Sequence, residues 1–281
     1  MPANTSGLSR RLDNPCPSWS PPQDRAKRVS LRLFWLLAAR RRWYDKLVDR
    51  TLSAKTCVEP THLTAKDVRY LDGILLEPTG RLRLLPASSY ASIDLLHLRA
   101  WCSLNGRYGL PTTELVAWLK ERIAGRSAVE IGAGCGDLGF RLGIPMTDSF
   151  QQVTDPATVG MLAQFRQAPA TPLPDVEPED AETAVRRRKP RVVIASWVAE
   201  RSKPKEEGGT GNVHGPREED ILGRCESYIF VGNEAVHGKK RLRRVPHLMF
   251  KYPWLVSRAR KPELNVIYLW EGQTMPLKQL R

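Results

Sequence analysis

The sequence predicts an α/β fold: a doubly wound, mostly parallel sheet with a helical extension ahead of it. Three observations carry this. From Arg126 to Trp270, short apolar runs alternate with helical or loop segments, as successive βα units do. The run Ala128 to Ile131 leads straight into Gly132, Gly134, Gly136 and Gly139, which reads as a buried strand turning sharply into a helix. Arg191 to Val198 (Arg-Val-Val-Ile-Ala-Ser-Trp-Val) is a β-branched run of the kind buried on both faces of a parallel sheet.

Three regions follow from the patterning. Residues 1–30 are rich in Pro, Ser, Asn and Arg, lack apolar periodicity and read as a disordered leader. Residues 31–125 read as a helical extension or cap. Its first helix, Leu31 to Leu52, carries Arg32, Arg40, Arg41, Arg42 and Lys46 opposite an apolar stripe. A solvated face packed on the main domain explains that charge more simply than a nucleic-acid or membrane contact. Leu82 to Leu85 reads as a strand end and Ser88 to Asn105 as a second helix. Thr112 caps a third, Glu114 to Ala124, which buries Leu115, Val116, Leu119 and Ile123 and stops at Gly125.

Residues 126–281 read as the sheet domain. Strand one is Ala128 to Ile131, followed by a short helix, Leu138 to Leu142, and a second strand, Ile144 to Thr147, ending at Asp148. No third strand stands out between Gln151 and Pro174. The stretch from Val176 leads into a helix with Glu179, Asp180 and Glu182 at its start and Arg186, Arg187, Arg188 and Lys189 at its end, which matches the helix dipole. The fourth strand, Arg191 to Val198, precedes a long Gly-rich polar loop, Ser202 to Pro216. A helix at Glu218 to Arg224, a fifth strand at Ser227 to Val231, an exposed basic cluster at Lys239 to Arg244, one more strand within His247 to Ser257, and a final strand at Asn265 to Trp270 complete the chain.

Composition sets the bounds. Hydrophobic residues at 41% and charged residues at 26% suit a folded globular protein, and a net charge of +14 permits nucleic acid or an acidic surface as partner without requiring either. Five scattered cysteines without a C-x-x-C pair imply neither a zinc site nor a disulfide framework, and fit a reducing cytoplasm. The apolar run Leu33 to Ala39 is far short of a membrane span, so the expected location is cytoplasmic.

Two ligands compete for the glycine turn. Gly134, Gly136 and Gly139 fit the spacing of a dinucleotide fingerprint. Glu130, inside the apolar strand just ahead of the turn, disfavours a pyrophosphate and suits a cationic ligand. Asp148, about 20 residues on and at the end of the second strand, sits where a ribose-binding carboxylate belongs.

The string Val-Glu-Ile-Gly-Ala-Gly-Cys-Gly (residues 129–136) resembles the first motif of class I S-adenosylmethionine-dependent methyltransferases, and the resemblance covers roughly Thr112 to Trp270. It implies a Rossmann-like sheet and S-adenosyl-L-methionine as cofactor, its amino-acid end held by the loop that follows the acidic residue. Glu130, Gly132, Gly134, Cys135 and Gly136 are then cofactor-binding candidates, with Asp148 at the ribose, Asp180 at the adenine amino group, and Ser196 and Trp197 at the end of strand four. It also implies a cap over the substrate. Members that methylate amino groups of nucleic-acid bases carry an acid-Pro-Pro-aromatic motif after strand four, and this chain does not.

Methyl transfer from a sulfonium asks the protein mainly for orientation and exclusion of water. A base, if used, belongs at the ends of strands four and five or on the long loop, where Glu200, His214, Asn233 and His237 stand. No metal ligand set is visible. Two other classes are open at this stage: a nicotinamide-dependent oxidoreductase using the same turn, and a non-catalytic nucleic-acid-binding protein on a degenerate nucleotide fold. The methyl acceptor is not legible in the sequence.

Overall fold

Among the described residues seven strands form one sheet, in the order Glu177–Pro178, Met146–Asp148, Ala128–Ile131, Val192–Ser196, Ser227–Asn233, Asn265–Glu271, Leu248–Phe250. The computed structural model describes residues 62–201 and 215–272; the leader 1–30, the basic helix expected over Leu31 to Leu52 and most of the Gly-rich loop lie outside them. A two-residue strand β1 (Gly109–Leu110) pairs antiparallel with β8 (Val256–Ser257) apart from that sheet. The large sheet consists of β2 (Ala128–Ile131), β3 (Met146–Asp148), β4 (Glu177–Pro178), β5 (Val192–Ser196), β6 (Ser227–Asn233), β7 (Leu248–Phe250) and β9 (Asn265–Glu271). β2 to β6 run parallel; β9 runs antiparallel to β6, and β7 antiparallel to β9. Helices flank the sheet, giving the mixed α/β architecture that the alternation predicts.

Alternation within the strands fills both faces. Val129, Ile131, Val193, Ala195, Tyr228, Phe230, Val266, Tyr268 and Trp270 build one core layer. Their neighbours Val192, Ile194, Ile229, Val231, Ile267 and Leu269 build the other, against Leu115, Val116, Trp118, Leu119 and Ile123 of the helix Thr113–Ile123. Thr112 caps that helix as expected, its hydroxyl accepting from the Leu115 amide at 3.1 Å. Its left-handed stop is Ala124, one residue before Gly125. The helix therefore belongs to the sheet's own layers and not to the extension.

The extension has its own core, with Leu71, Leu75, Leu82, Tyr90, Leu98 and Trp101 buried together. The single helix expected from Ser88 to Asn105 is two, Ala87–Ala91 and Leu95–Leu104, because Asp94 starts a fresh helix by accepting from the amides of Leu96 and His97. Leu82 to Leu85 contributes isolated bridges, Leu76 to Leu82 and Leu85 to Thr112, instead of a strand.

Other departures have local causes. The third strand is β4, where a helix entry was expected; two exposed residues, one of them proline, leave no apolar signal. The last strands are three: β7 and β8 where one was expected within His247 to Ser257, and β9. The basic cluster Lys239 to Arg244 is not uniformly exposed. Lys240 and Leu242 are buried, Lys240 paired with Glu218 beneath the ring of Phe230. Among the described residues no helix is long and apolar enough to cross a membrane.

Candidate functional site

The parallel strands β2, β3, β5 and β6 all point their carboxyl ends at one cleft of ≈ 1210 Å³. From β2 the chain moves outward to β3 and β4, then returns to β5 on the other side of β2. The connections diverge there, which opens the crevice in which open α/β sheets bind ligands.

The turn after β2 needs its glycines. Gly132, Gly134 and Gly136 have φ of +57°, +56° and +79°, the left-handed region that side chains resist. Space forbids side chains as well. A Cβ on Gly132 would lie 2.7 Å from Val198, one on Gly136 2.5 Å from Val176, and one on Gly139 2.4 Å from Met146.

Two carboxylates fix this turn from below and beside it. Glu130, 1% exposed, accepts from the Gly139 amide at 2.7 Å, so a strand residue caps the following helix Asp137–Leu142. Burial pushes its carboxyl up to about 8. Asp148 accepts from the Gly134 amide and from the Phe150 amide, each at 2.8 Å, and burial raises its pKa also. Two further amides of the turn are taken: Ala133 donates to the Thr147 carbonyl at 3.0 Å and Gly136 to the Ala133 carbonyl at 2.9 Å. Cys135 is buried between the glycines against the Gly106 carbonyl, and burial lifts its thiol to about 11, so it fills space as an unreactive thiol.

The extension is riveted to the same turn. Arg107 pairs with Asp137 at 3.1 Å, both side chains under a tenth exposed, while the other Asp137 oxygen accepts from the Leu82 amide at 2.8 Å. Arg81 donates to the Gly136 carbonyl at 3.1 Å and to Asp175 at 2.6 Å, and stacks 3.8 Å over Phe140. Sequence reading missed Arg81, Arg107 and Asp137. The available signal was weak: Arg81 and Arg107 each follow a glycine in a short loop, and Asp137 is the first residue after the glycine turn.

Opposite the turn, Ser196 and Trp197 end β5 and line the cleft. Trp197 sits at φ +60°, strained for a bulky residue, with its amide donating to the Val231 carbonyl at 2.9 Å. Its ring meets His237 edge-on at 5.1 Å and faces Tyr108 across 6.3 Å. Asp180 lines the cleft and caps the helix Ala181–Arg188, accepting from the Thr183 amide at 2.9 Å.

Of the four base candidates, three stand away from the cleft lining and one, His214, lies outside the described residues. Glu200 is paired with Arg241 at 2.9 Å. Asn233 is fully buried; its side chain donates to the Lys261 carbonyl and to Asn265 and accepts from the Ala235 amide. His237 is buried between Trp197 and Phe230, accepts from the Asn233 amide at 3.1 Å, and burial drives its pKa down to about 3. It packs Trp197 as a neutral ring. Among the described residues no cluster of His, Cys, Asp or Glu could hold a metal ion.

Fold and cleft together define an α/β protein with a ligand crevice at the carboxyl ends of its parallel strands. Comparisons with protein-family models and with curated proteins find no match. A solved structure titled as that of Thermoplasma acidophilum 1320 is similar at 13% identity with a TM-score of 0.30, over 64% of this chain and 91% of that one. A likeness of that size carries no argument about function.

Proposed function

We propose that this chain is an S-adenosylmethionine-dependent methyltransferase. The observation that carries the reading is the state of the glycine turn. A pyrophosphate is held by free amides at a helix N-terminus. Here the amides of Ala133, Gly134, Gly136 and Gly139 already have acceptors within the protein, and the acceptors for two of them are carboxyls. Three acidic side chains, Glu130, Asp137 and Asp148, line the turn; Asp137 is paired with Arg107, and Glu130 holds a proton that a cationic ligand would draw off. Such a site disfavours a pyrophosphate and suits a ligand with a cationic end.

The strand order supports the same choice. A dinucleotide fold repeats a parallel βαβαβ half on each side of the switch point. In this sheet the second half ends in the antiparallel strands β9 and β7, which leaves one mononucleotide-type half. That favours a single-nucleoside cofactor over a nicotinamide dinucleotide, though fold alone never fixes an activity.

The residues fit the cofactor. The glycines let the turn take its left-handed backbone while Val198, Val176 and Ala170 pack close over it, and Asp148 keeps lone pairs free for ribose hydroxyls. When bound, the cofactor supplies an electrophilic methyl group on a sulfonium. The chain's own part is to hold the acceptor in line and exclude water, with Ser196, Trp197 and Tyr108 forming the wall opposite the turn. No general base is assigned to Glu200, Asn233 or His237.

Titration calorimetry with S-adenosylmethionine, S-adenosylhomocysteine and NADH tests the reading. Heat from the first two and none from the third is the expected result; binding of NADH alone would replace the proposal by the oxidoreductase one.

A further inference from the structure

The end of the cleft farthest in sequence from the glycine turn is unlike the rest. It lies where the helix Ala181–Arg188 packs against the helix Glu218–Leu222, beyond the end of β5. Four arginines line it: Arg186, Arg201, Arg217 and Arg224. One carboxylate touches two of them. Glu182 accepts from the Arg217 amide at 3.0 Å and stands 3.9 Å from the Arg201 guanidinium, while Arg201 also donates to the Gly215 carbonyl at 2.8 Å. Arg186 follows Glu182 by one helical turn and donates to Thr183 at 2.9 Å.

Elsewhere on the described surface, arginines that stand near carboxylates pair with them. Arg187 holds Glu177 and Glu179, Arg191 holds Glu226, and Arg241 holds Glu200 and Glu219. The guanidinium groups of Arg217 and Arg224 form no ion pair among the described residues, although both are exposed at the cleft. Three carboxylates share this end. Asp180 and Glu182 are occupied by Thr183, Arg201 and the Arg217 backbone, which leaves Asp220 to face the arginines.

We propose that this basic end of the cleft binds the phosphate groups of the methyl acceptor. Its role as an acceptor site rests on the methyl-transfer reading; its role as an anion site does not. Guanidinium groups bind phosphate oxygens in paired hydrogen bonds, and an arginine that no carboxylate holds gives up no ion pair to do so. The cleft exceeds the size usual for one small ligand, so cofactor and acceptor can share it. The phosphate can belong to a phosphorylated small molecule or to a single-stranded nucleic acid, and the probes separate these.

The test uses the full chain without cofactor. Binding of a fluorescent single-stranded 12-mer RNA is followed by anisotropy across a salt series, and binding of cytidine monophosphate by calorimetry. The double variant Arg217→Gln/Arg224→Gln is compared with the charge-matched control Arg187→Gln/Arg191→Gln. Expected is a loss of about tenfold or more in affinity for at least one probe in the first variant, with the control near wild type. If RNA is the ligand, two lost phosphate contacts lower the salt slope by about 1.4. Response to the nucleotide alone assigns a small acceptor; response to RNA alone assigns a nucleic acid. Equal losses in both variants, no loss in the first, or no binding of either probe by the wild type would overturn the proposal. S-adenosylmethionine binding is measured on each variant separately. Its absence from all of them, with the anion response intact, removes the methyltransferase reading and leaves the anion site.

Discussion

Arg107 and Asp137 form a buried ion pair at 3.1 Å that ties the helical extension to the first residue of the helix after the glycine turn. The extension and the ligand crevice are thereby one mechanical unit. A cap fixed at the turn itself constrains the backbone that has to meet the ligand.

Breaking that pair is expected to cost far more than a surface pair would. Arg107→Met leaves the Asp137 charge buried without its partner and should destabilise the fold by about 3–5 kcal/mol. Arg107→Met with Asp137→Asn should cost less than the single change, since no orphan charge remains. Urea unfolding of both variants measures the difference. Equal stabilities would show that the pair does not hold the extension.

Replacing Gly134 by Val places a β-branched side chain at φ +56°, with its Cβ 3.2 Å from Ala170. Strain of about 1–3 kcal/mol is expected from the backbone alone. The added side chain also presses on Ala170 in the cleft lining, so S-adenosylmethionine heat should vanish in calorimetry while circular dichroism still reports a folded chain. Retained affinity in the folded variant would place the ligand elsewhere.

Asp148→Ala removes the acceptor of two amides, Gly134 and Phe150, besides any ribose contact. The change should therefore lower stability as well as affinity, by about 1–3 kcal/mol for each amide left without a partner. Asp148→Asn keeps an acceptor oxygen for one amide and should recover part of the stability. Thermal melts of the two variants without ligand separate the structural share from the binding share.

Glu130 gives the stability a pH dependence of known sign. Its carboxyl titrates at about 8 when folded, against 4.5 as the ordinary value. Between those values the folded chain binds the extra proton, so this group's contribution to stability falls as pH rises from about 4.5 to 8. Glu130→Gln keeps an acceptor for the Gly139 amide and should flatten that slope, gaining on the wild type most at pH 8. A cationic ligand near Glu130 would draw the proton off, so cofactor binding at pH 7 should release protons, and the variant should release fewer. Calorimetry in buffers of different ionisation enthalpy reads this directly; identical proton counts would separate Glu130 from the ligand.

His237 has the opposite sign. Its folded pKa is driven down to about 3 from 6.5, so the unfolded chain takes up a proton that the folded one refuses as pH falls through about 6.5. Stability should drop on acidification over that interval, and His237→Phe, which keeps an aromatic ring beside Trp197, should remove part of the drop in urea titrations at pH 7 and pH 5.

The sequence by itself determined the sheet and its turn. β2, β5, β6 and β9 are apolar runs of β-branched and aromatic residues, and such runs must be buried on both faces wherever they are placed. The glycines at 132, 134 and 136 are equally local, because a positive φ is a property of the residue that adopts it. β4 escaped because two exposed residues bury nothing, and the pairing of Glu177 with Thr147 comes from the neighbouring strand. Only the tertiary structure decided what the polar residues do. Glu130 and Asp148 stand where the spacing places them, yet their oxygens are fixed by the amides of Gly139, Gly134 and Phe150, contacts set by how the turn folds back on β2 and β3. Glu200, Asn233 and His237 are near the right strand ends in the chain but turn to Arg241, Asn265 and Trp197. Arg81 and Arg107 reach the turn across 55 and 30 residues of chain respectively, by approximate count, and Arg217 meets Glu182 between two packed helices. Apolar burial follows from periodicity along the chain, whereas a polar side chain takes its role from whichever donor or charge the fold brings within about 3 Å of it.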